Sequence, residues 1–164
     1  MADVTVRPAT PDDAALILEL VRELAVFERA PPEAVKASED DYRRAMAGQR
    51  PAFECLIAEV GGRPAGAAVF FPTYSTWEGR PGLNLHDLYV REWARGSGVG
   101  RLLLAALARV AQGRGCARLD LHVLDWNPAR RVYERAGLRH LDGWLPSRAE
   151  ADALARLAAS DDPT

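Results

Sequence analysis

Three glycines lie within five residues at the junction between a predicted strand and a predicted helix. Residues 95–101 read RGSGVGR and follow an apolar run that ends at Val90. Glycines let the backbone come close to a ligand, and the N–H groups that open a helix attract anions. Arg95 and Arg101 add cationic side chains that can hydrogen-bond phosphate oxygens. The pattern indicates a phosphate-binding turn, although an ordinary glycine-rich turn has the same composition.

Two well-known phosphate-binding patterns do not fit this junction. A dinucleotide fingerprint, G-x-G-x-x-G, needs a final glycine where the sequence has Arg101 or Leu103. A P-loop needs lysine and then serine or threonine after its last glycine, whereas Arg101 and Leu102 stand there. The pattern that remains is R-x-x-G-x-G, which opens a helix directly after a strand.

The hydrophobic pattern predicts the elements that position this turn. Alternating apolar residues predict six strands, over 3–10, 52–60, 65–74, 83–90, 117–124 and 138–144. Helical spacing predicts helices over 12–29, from Ser38, over 99–113, over 127–137 and in the tail from 147. We expect a loop over 75–82 and a frayed end over 160–164. The order β-α-α-β-β-β-α-β-α-β, with both parallel crossovers in its second half, predicts an α/β fold: a mixed sheet with helices on both faces.

Length and composition limit the remaining possibilities. The 164 residues predict a single domain over 1–164, and the net charge of −2 gives no reason to expect nucleic-acid binding. Cys55 and Cys116 lack the spacing of a disulfide framework or a zinc site, and His122 and His140 lack metal-ligand spacing. No apolar run is long enough for a membrane span, and the N-terminus does not resemble a signal peptide. We therefore expect a cytoplasmic protein with no bound metal.

Several stretches of the sequence resemble one enzyme superfamily. R-x-x-G-x-G between a strand and a helix resembles the acetyl-CoA pyrophosphate motif of the GNAT N-acetyltransferases. The stretch LDWNPARRVYERAGLR resembles their next motif. LAVFE, TYSTWEGRPGL, LHDLYV and VLDWN resemble the diamine (spermidine/spermine) acetyltransferase-like branch, which includes acetylases of thialysine. The resemblance covers about residues 3–145.

The resemblance implies a fold, an activity and an assembly. The fold is the GNAT fold, a central mixed sheet flanked by helices. The activity is acetyl transfer from acetyl-CoA to a primary amine of a small molecule, by direct attack in a ternary complex. Alternatives are a non-catalytic CoA-binding or sensory module and a protein or peptide N-acetyltransferase, because a fold does not fix a function. The branch commonly forms homodimers, so we expect a homodimer.

The resemblance also implies which residues contact the co-substrate. These residues come from the strand edge, the glycine turn and the next motif: Leu88, Tyr89, Val90, Arg95, Gly96, Ser97, Gly98, Val99, Gly100, Arg101, Asn127, Pro128, Ala129, Arg130 and Tyr133. In the family a bulge splays the strand that carries Leu88, and a freed N–H group faces the thioester oxygen. The sequence alone does not show the bulge, and an ordinary central strand fits it equally well.

The catalytic candidates are Tyr133, His86 and Asp87. Tyr133 matches the family tyrosine that protonates the departing sulfur, and a phenol with a pKa near 10 can donate a proton at neutral pH. A tyrosine that only packs into the core is the alternative. His86 and Asp87 are acid–base candidates on the substrate side, and strand alternation predicts that they point to opposite faces.

The substrate-side candidates are Phe27, Glu28, Trp77, His86, Asp87, His122 and Trp144. His86 stands where the diamine branch usually has glutamate, and Ser75 stands where polyamine enzymes have an acidic residue. Since a polycation needs several carboxylates to balance its charge, these replacements favour a smaller amine over spermine.

Overall fold

The computed structural model describes residues 3–160 of the chain. Its five strands are β1 (Val4–Pro8), β2 (Glu54–Val60), β3 (Arg63–Ser75), β4 (Arg80–Val90) and β5 (Arg118–Leu121). Its five α-helices are α1 (Ala14–Phe27), α2 (Glu39–Met46), α3 (Val99–Gly113), α4 (Arg130–Arg135) and α5 (Ala151–Ala158). Short 3-10 turns cover Pro11–Asp13, Pro32–Ala34 and Glu92–Ala94.

The strands form one sheet in the order β1-β2-β3-β4-β5. Neighbouring strands are antiparallel except for β4 and β5, which are parallel and joined through α3. This crossover places the beginning of α3 beside the end of β4, as a parallel connection through a helix requires.

Apolar cores fill both faces of the sheet. On one face α3 contributes Leu103 and Leu107, which pack against residues such as Leu83 of β4. On the other face Ile17 and Leu20 of α1 pack against residues such as Ile57 of β2. The predicted mixed sheet with helices on both faces is therefore confirmed.

Local signals fixed several helix ends. The side chain of Ser38 accepts a hydrogen bond from the Asp41 amide at 3.2 Å, and the Asp41 carboxylate accepts one from the Ser38 amide at 2.8 Å. This reciprocal pair is a capping box, and α2 begins at the next residue as predicted. Gly113 is the last residue of α3, and Gly115 turns the chain with φ +68°.

The structure corrects four expectations from the sequence. Residues 138–144 form no strand, because the turn at Asp142 and Gly143 interrupts the short apolar pattern. Consequently only one strand pair in the described chain is parallel. The expected loop over 75–82 is half paired strand, since β3 and β4 remain in register as far as Ser75 and Arg80 and only residues 76–79 form the turn. β5 is shorter than predicted, and residues 161–164 of the expected frayed end lie outside the described residues.

A close backbone approach between β3 and β4 generates a stability prediction. A Cβ atom at Gly66 would lie 2.4 Å from the carbonyl oxygen of Tyr89, so Gly66→Ala must push the two strands apart. We expect the free energy of unfolding to fall by about 1–3 kcal/mol, as measured by urea denaturation.

The matched control is Gly113→Ala, because a Cβ atom there would meet nothing within 4 Å. We expect this control to be neutral or to stabilise the protein by up to about 1 kcal/mol. Equal stability of Gly66→Ala and the wild type would contradict the close approach.

Candidate active site

A β-bulge interrupts β4 at His86. Val69 pairs with Asp87 and Phe70 pairs with Leu85, which leaves His86 as an extra residue on β4. Leu85 before the bulge and Leu88 after it pack against the same α3 core, although three positions separate them. A bulge changes the alternation of side chains in this way.

The bulge brings His86 and Asp87 to the same face of the sheet. Asp87 lies opposite Val69, which belongs to the core under α1 and α2. The His86 ring lies 5.6 Å from the ring of Phe71, whose side chain is on that face as well because Phe71 is two residues after Val69. The expectation of opposite faces was wrong, since it assumed a regular strand.

β4 and β5 separate directly at the bulge. Their pairing runs from Gly82 and Arg118 to Leu85 and Leu121 and then ends. Between His86 and Val90, the side of β4 that would continue toward β5 has no strand partner among residues 3–160. Buried backbone N–H and C=O groups require hydrogen-bond partners. Since no strand supplies them along this opening, a ligand can.

The glycine turn follows the end of β4 and supplies a cluster of free donors. Gly96 and Gly98 have φ values of +78° and +87°, a region that other residues rarely adopt. Within the described chain, the amides of residues 96–101 donate to no backbone or side-chain acceptor. They lie at the positive end of the 15-residue helix α3, so the turn is suited to bind an anionic group.

The two arginines that flank the turn differ in their surroundings. Nε of Arg95 donates to the carbonyl oxygen of Val90 at 3.0 Å, and its guanidinium group lies 4.7 Å from the ring centre of Phe27. Arg101 is exposed on the first turn of α3. Arg95 therefore links the turn to β4 and α1, whereas Arg101 faces solvent.

A pocket opens where β4 and β5 separate. Residues of α1, β4, β5 and the segment leading into α4 line it: Leu24, Glu28, Leu85, His86, Asp87, Leu88, Leu121, His122, Val123, Asn127 and Tyr133. Seven predicted site residues are thus brought together, namely Glu28, His86, Asp87, Leu88, His122, Asn127 and Tyr133.

Tyr133 presents its hydroxyl group to this pocket. Only 6% of the residue is exposed, and no buried side-chain polar atom lacks a partner within residues 3–160. The Tyr133 hydroxyl group makes no hydrogen bond in that range. Its oxygen is therefore not one of the buried atoms, and it reaches the open space of the pocket. Burial, with a smaller contribution from Glu28, raises the pKa of Tyr133 to about 12. The phenol is therefore protonated at neutral pH.

Asn127 shapes the turn that leads to Tyr133. The side-chain Oδ1 of this buried residue accepts a hydrogen bond from the Ala129 amide at 2.9 Å. Its carbonyl oxygen accepts one from the Arg130 amide at 3.1 Å. Nη1 of Arg130 in turn donates to the carbonyl oxygen of Asp125 at 2.6 Å. These contacts fix the start of α4, which begins at Arg130, later than predicted.

Two carboxyl groups in the pocket form no salt bridge within the described chain. Burial raises the pKa of Asp87, and the nearby His86 offsets part of that rise. Burial and the charge of Asp87 raise the pKa of Glu28. Desolvation and like charge both disfavour the ionised carboxylate. These groups are suited to accept a proton or to bind an ammonium group.

Three predicted substrate residues do not line the pocket. The Phe27 ring packs beside it, 6.3 Å from the rings of Tyr89 and Trp126. Trp77, at the tip of the β3–β4 hairpin, is 94% exposed, and Trp144 is 76% exposed. Neither tryptophan lines the pocket of its own chain.

Sequence analysis missed the apolar side of the pocket. Leu24, Leu85, Leu121 and Val123 line it without having been predicted. A signal for Leu24 was available, because it lies four residues before Glu28 and therefore on the same face of α1.

The described part of the chain contains no metal-binding cluster and no membrane-spanning helix. No group of three or more histidine, cysteine, aspartate or glutamate residues converges between residues 3 and 160. Every helix in that range is too short or too polar to cross a bilayer. Cys55 and Cys116 are free thiols, and burial raises the pKa of Cys55 to about 12.

Comparison with known proteins identifies the family. The profile of the Acetyltransferase (GNAT) family matches residues 18–138. The chain belongs to the GNAT acetyltransferase family. It is 39% identical over 170 residues to the thialysine N-epsilon-acetyltransferase of Bos taurus, covering 96% of this chain and 99% of the relative. It is 32% identical over 164 residues to human spermidine/spermine N(1)-acetyltransferase-like protein 1, covering 93% of this chain and 23% of that protein.

Solved structures confirm the GNAT fold. An integron cassette protein from the mobile metagenome of V. cholerae superimposes with a TM-score of 0.77 at 24% identity, covering 98% of this chain and 99% of that one. The recognition of a GNAT acetyltransferase related to the diamine branch is thus confirmed. This GNAT protein is an N-acetyltransferase, and members of its family use acetyl-CoA as the acetyl donor.

The unpaired carboxyl group of Asp87 generates a prediction about stability and pH. Its raised pKa means that the folded protein holds this proton more tightly than the unfolded chain does. The free energy of unfolding therefore falls as the pH rises from the ordinary carboxyl range through the raised pKa. We expect Asp87→Asn to remove this contribution and to be more stable than the wild type at pH 7 in urea unfolding.

Asp142→Asn is the matched control, because Asp142 is exposed and does not line the pocket. We expect it to leave the pH dependence unchanged. If the wild type is more stable than Asp87→Asn at pH 7, the buried carboxylate of Asp87 does not destabilise the protein and the prediction is wrong.

Proposed function

We propose that the chain transfers the acetyl group of acetyl-CoA to the primary amine of a small molecule by direct attack in a ternary complex. One observation carries this proposal: the pocket joins the protonated Tyr133 and the unpaired Asp87 and Glu28 at the opening between β4 and β5. A proton donor and proton acceptors thus face the same space, as amide formation from an ammonium group and a thioester requires.

The glycine turn and the strand edge fit the shape and charge of coenzyme A. The free amides of residues 96–101 suit its diphosphate, and the exposed Arg101 can add charge-assisted bonds. The open edge of β4 over Leu88, Tyr89 and Val90 suits its amide-bearing pantetheine arm. We expect residues 127–130, which lead from Asn127 in the pocket to α4, to contact the co-substrate as well. Bound acetyl-CoA supplies the thioester that the amine attacks.

The residues of β4 and α1 prepare the amine. Glu28, at the exposed end of α1, attracts the incoming ammonium group. Asp87 accepts its proton, and the neighbouring His86 passes that proton to solvent, since both side chains are on one face. The Leu88 amide donates a hydrogen bond to the thioester oxygen, where negative charge develops. His122 completes the substrate side from β5.

Tyr133 completes the reaction on the co-substrate side. Its hydroxyl group donates a proton to the departing sulfur, because its pKa of about 12 keeps the phenol protonated at neutral pH and so able to donate. Burial of the ring holds the hydroxyl group in one place, which favours proton transfer.

The acceptor that we propose is a short molecule with a terminal primary amine, such as thialysine. The full-length relative in Bos taurus is named for that substrate. Two unpaired carboxyl groups in the pocket suffice for one ammonium group, whereas a long polyamine would leave further charges unbalanced.

We also propose a cytoplasmic location. The acetyl donor is an intracellular metabolite, and Cys55 and Cys116 are unpaired, as expected in a reducing compartment.

The test of the proposed function is an acetylation assay with acetyl-CoA and a panel of amines that includes thialysine, lysine and spermidine. We expect turnover of thialysine or lysine to exceed that of spermidine. Tight CoA binding without turnover of any amine would contradict the proposal and favour a CoA-binding module.

The proton donor is tested in the same assay by Tyr133→Phe. We expect kcat to fall by about 100-fold or more, because the proton donor is lost. The affinity for CoA should remain close to that of the wild type in calorimetry. The control Tyr74→Phe changes a residue that is 63% exposed and outside the pocket, so it should retain full activity.

We propose that two copies form a homodimer through their C-terminal segments. Large apolar side chains there are exposed, including Trp144 (76%), Leu145 (87%), Leu154 (57%) and Leu157 (67%). The outer edge of β5 also has no strand partner within residues 3–160. Exposed apolar surface and a bare sheet edge both favour association.

Sedimentation velocity tests this assembly. We expect the wild type to sediment as a dimer and Leu154→Glu with Leu157→Glu to sediment as a monomer. Val26→Glu is the control, because Val26 is similarly exposed, at 57%, but lies on α1. A monomeric wild type would contradict the proposal.

A further inference from the structure

Exposed polar residues and buried apolar residues both line the pocket. Glu28, His86 and His122 are exposed and form its mouth. In contrast, only 6% of Leu24 and 2% of Leu85 are exposed. A group that passes the mouth therefore meets apolar side chains as well as polar ones.

The proposed acetyl transfer determines which group meets these apolar side chains. The carbonyl carbon of a thioester carries an oxygen, a sulfur and the acyl chain. The proposed roles direct the oxygen toward the β4 amide and the sulfur toward Tyr133, and the amine enters beside Glu28 and Asp87. The acyl chain is the remaining substituent, and it favours an apolar surface because the transfer of an apolar group out of water lowers the free energy.

Leu24 differs from the other apolar residues of the pocket. Leu85, Leu88, Leu121 and Val123 all pack in the core beneath α3. Leu24 belongs to neither of the two buried clusters in the described chain, although it is buried. Its side chain therefore borders the pocket without being part of either core.

We infer that Leu24 limits the length of the acyl chain that the enzyme transfers. This inference rests on the proposed function and deepens it. With Leu24 present, the space beside its side chain accommodates a methyl group and excludes longer chains. Leu24→Ala removes three carbon atoms, while butyryl adds two carbons to acetyl, so the truncated pocket has room for the longer chain.

The test compares acetyl-, propionyl- and butyryl-CoA with one amine. In the wild type we expect kcat/KM to fall by about tenfold or more for each added methylene. In Leu24→Ala we expect the ratio of butyryl to acetyl kcat/KM to rise by about tenfold or more. Leu20→Ala is the matched control, because Leu20 lies one turn earlier on α1, in the core beneath it, and does not line the pocket. Its ratio should equal that of the wild type.

A binding measurement without amine gives an independent readout. Calorimetry measures the dissociation constants of butyryl-CoA and of free CoA. The constant for butyryl-CoA divided by that for free CoA should be larger in the wild type than in Leu24→Ala. If Leu24→Ala does not fold, Leu24→Val, which removes one carbon, should raise the propionyl ratio alone.

The outcomes separate the inference from the proposed function. Acetylation by the wild type with unchanged ratios in the folded Leu24 variants would overturn the role of Leu24 alone, as would an equal shift in Leu20→Ala. A wild type that acetylates no amine would overturn the proposed function.

Discussion

The end of the pairing between β4 and β5 is the constraint on which the site depends. Beyond Leu85 and Leu121 the strands separate, and the bulge at His86 rotates the rest of β4. The separation leaves backbone donors free and opens the pocket, while the rotation brings Asp87 to the α1 side. A regular strand in this place would have paired those donors and pointed Asp87 into the α3 core.

The site is assembled from groups that the fold leaves unsatisfied. The amides of residues 96–101 lack acceptors within the described chain, and Asp87 and Glu28 form no salt bridge there. The partial burial of Asp87 costs stability, because a desolvated charge needs a partner. The cores on the two faces of the sheet offset this cost. A ligand with a diphosphate and an amine would supply the missing partners.

Features set by neighbouring residues could be predicted from the sequence, and features set by distant pairing could not. The glycine turn and the Ser38 cap depend on a few consecutive residues, and the structure shows both. The bulge depends on how β4 pairs with β3, which no local pattern encodes. For the same reason the residues 138–144 have a strand-like pattern but no strand partner. Leu121 and Val123 became pocket residues only through the separation of β5 from β4, whereas Leu24 could have been inferred from its helical spacing to Glu28.

Amide-resolved NMR of the ¹⁵N-labelled protein during titration with CoA tests the central claim most directly. The account predicts that the largest shift changes fall on the amides of residues 96–101 and along the open edge of β4 from His86 to Val90. It also predicts that hydrogen exchange at those amides slows. Saturable binding of CoA that leaves these amides unchanged and shifts a different surface would contradict the account.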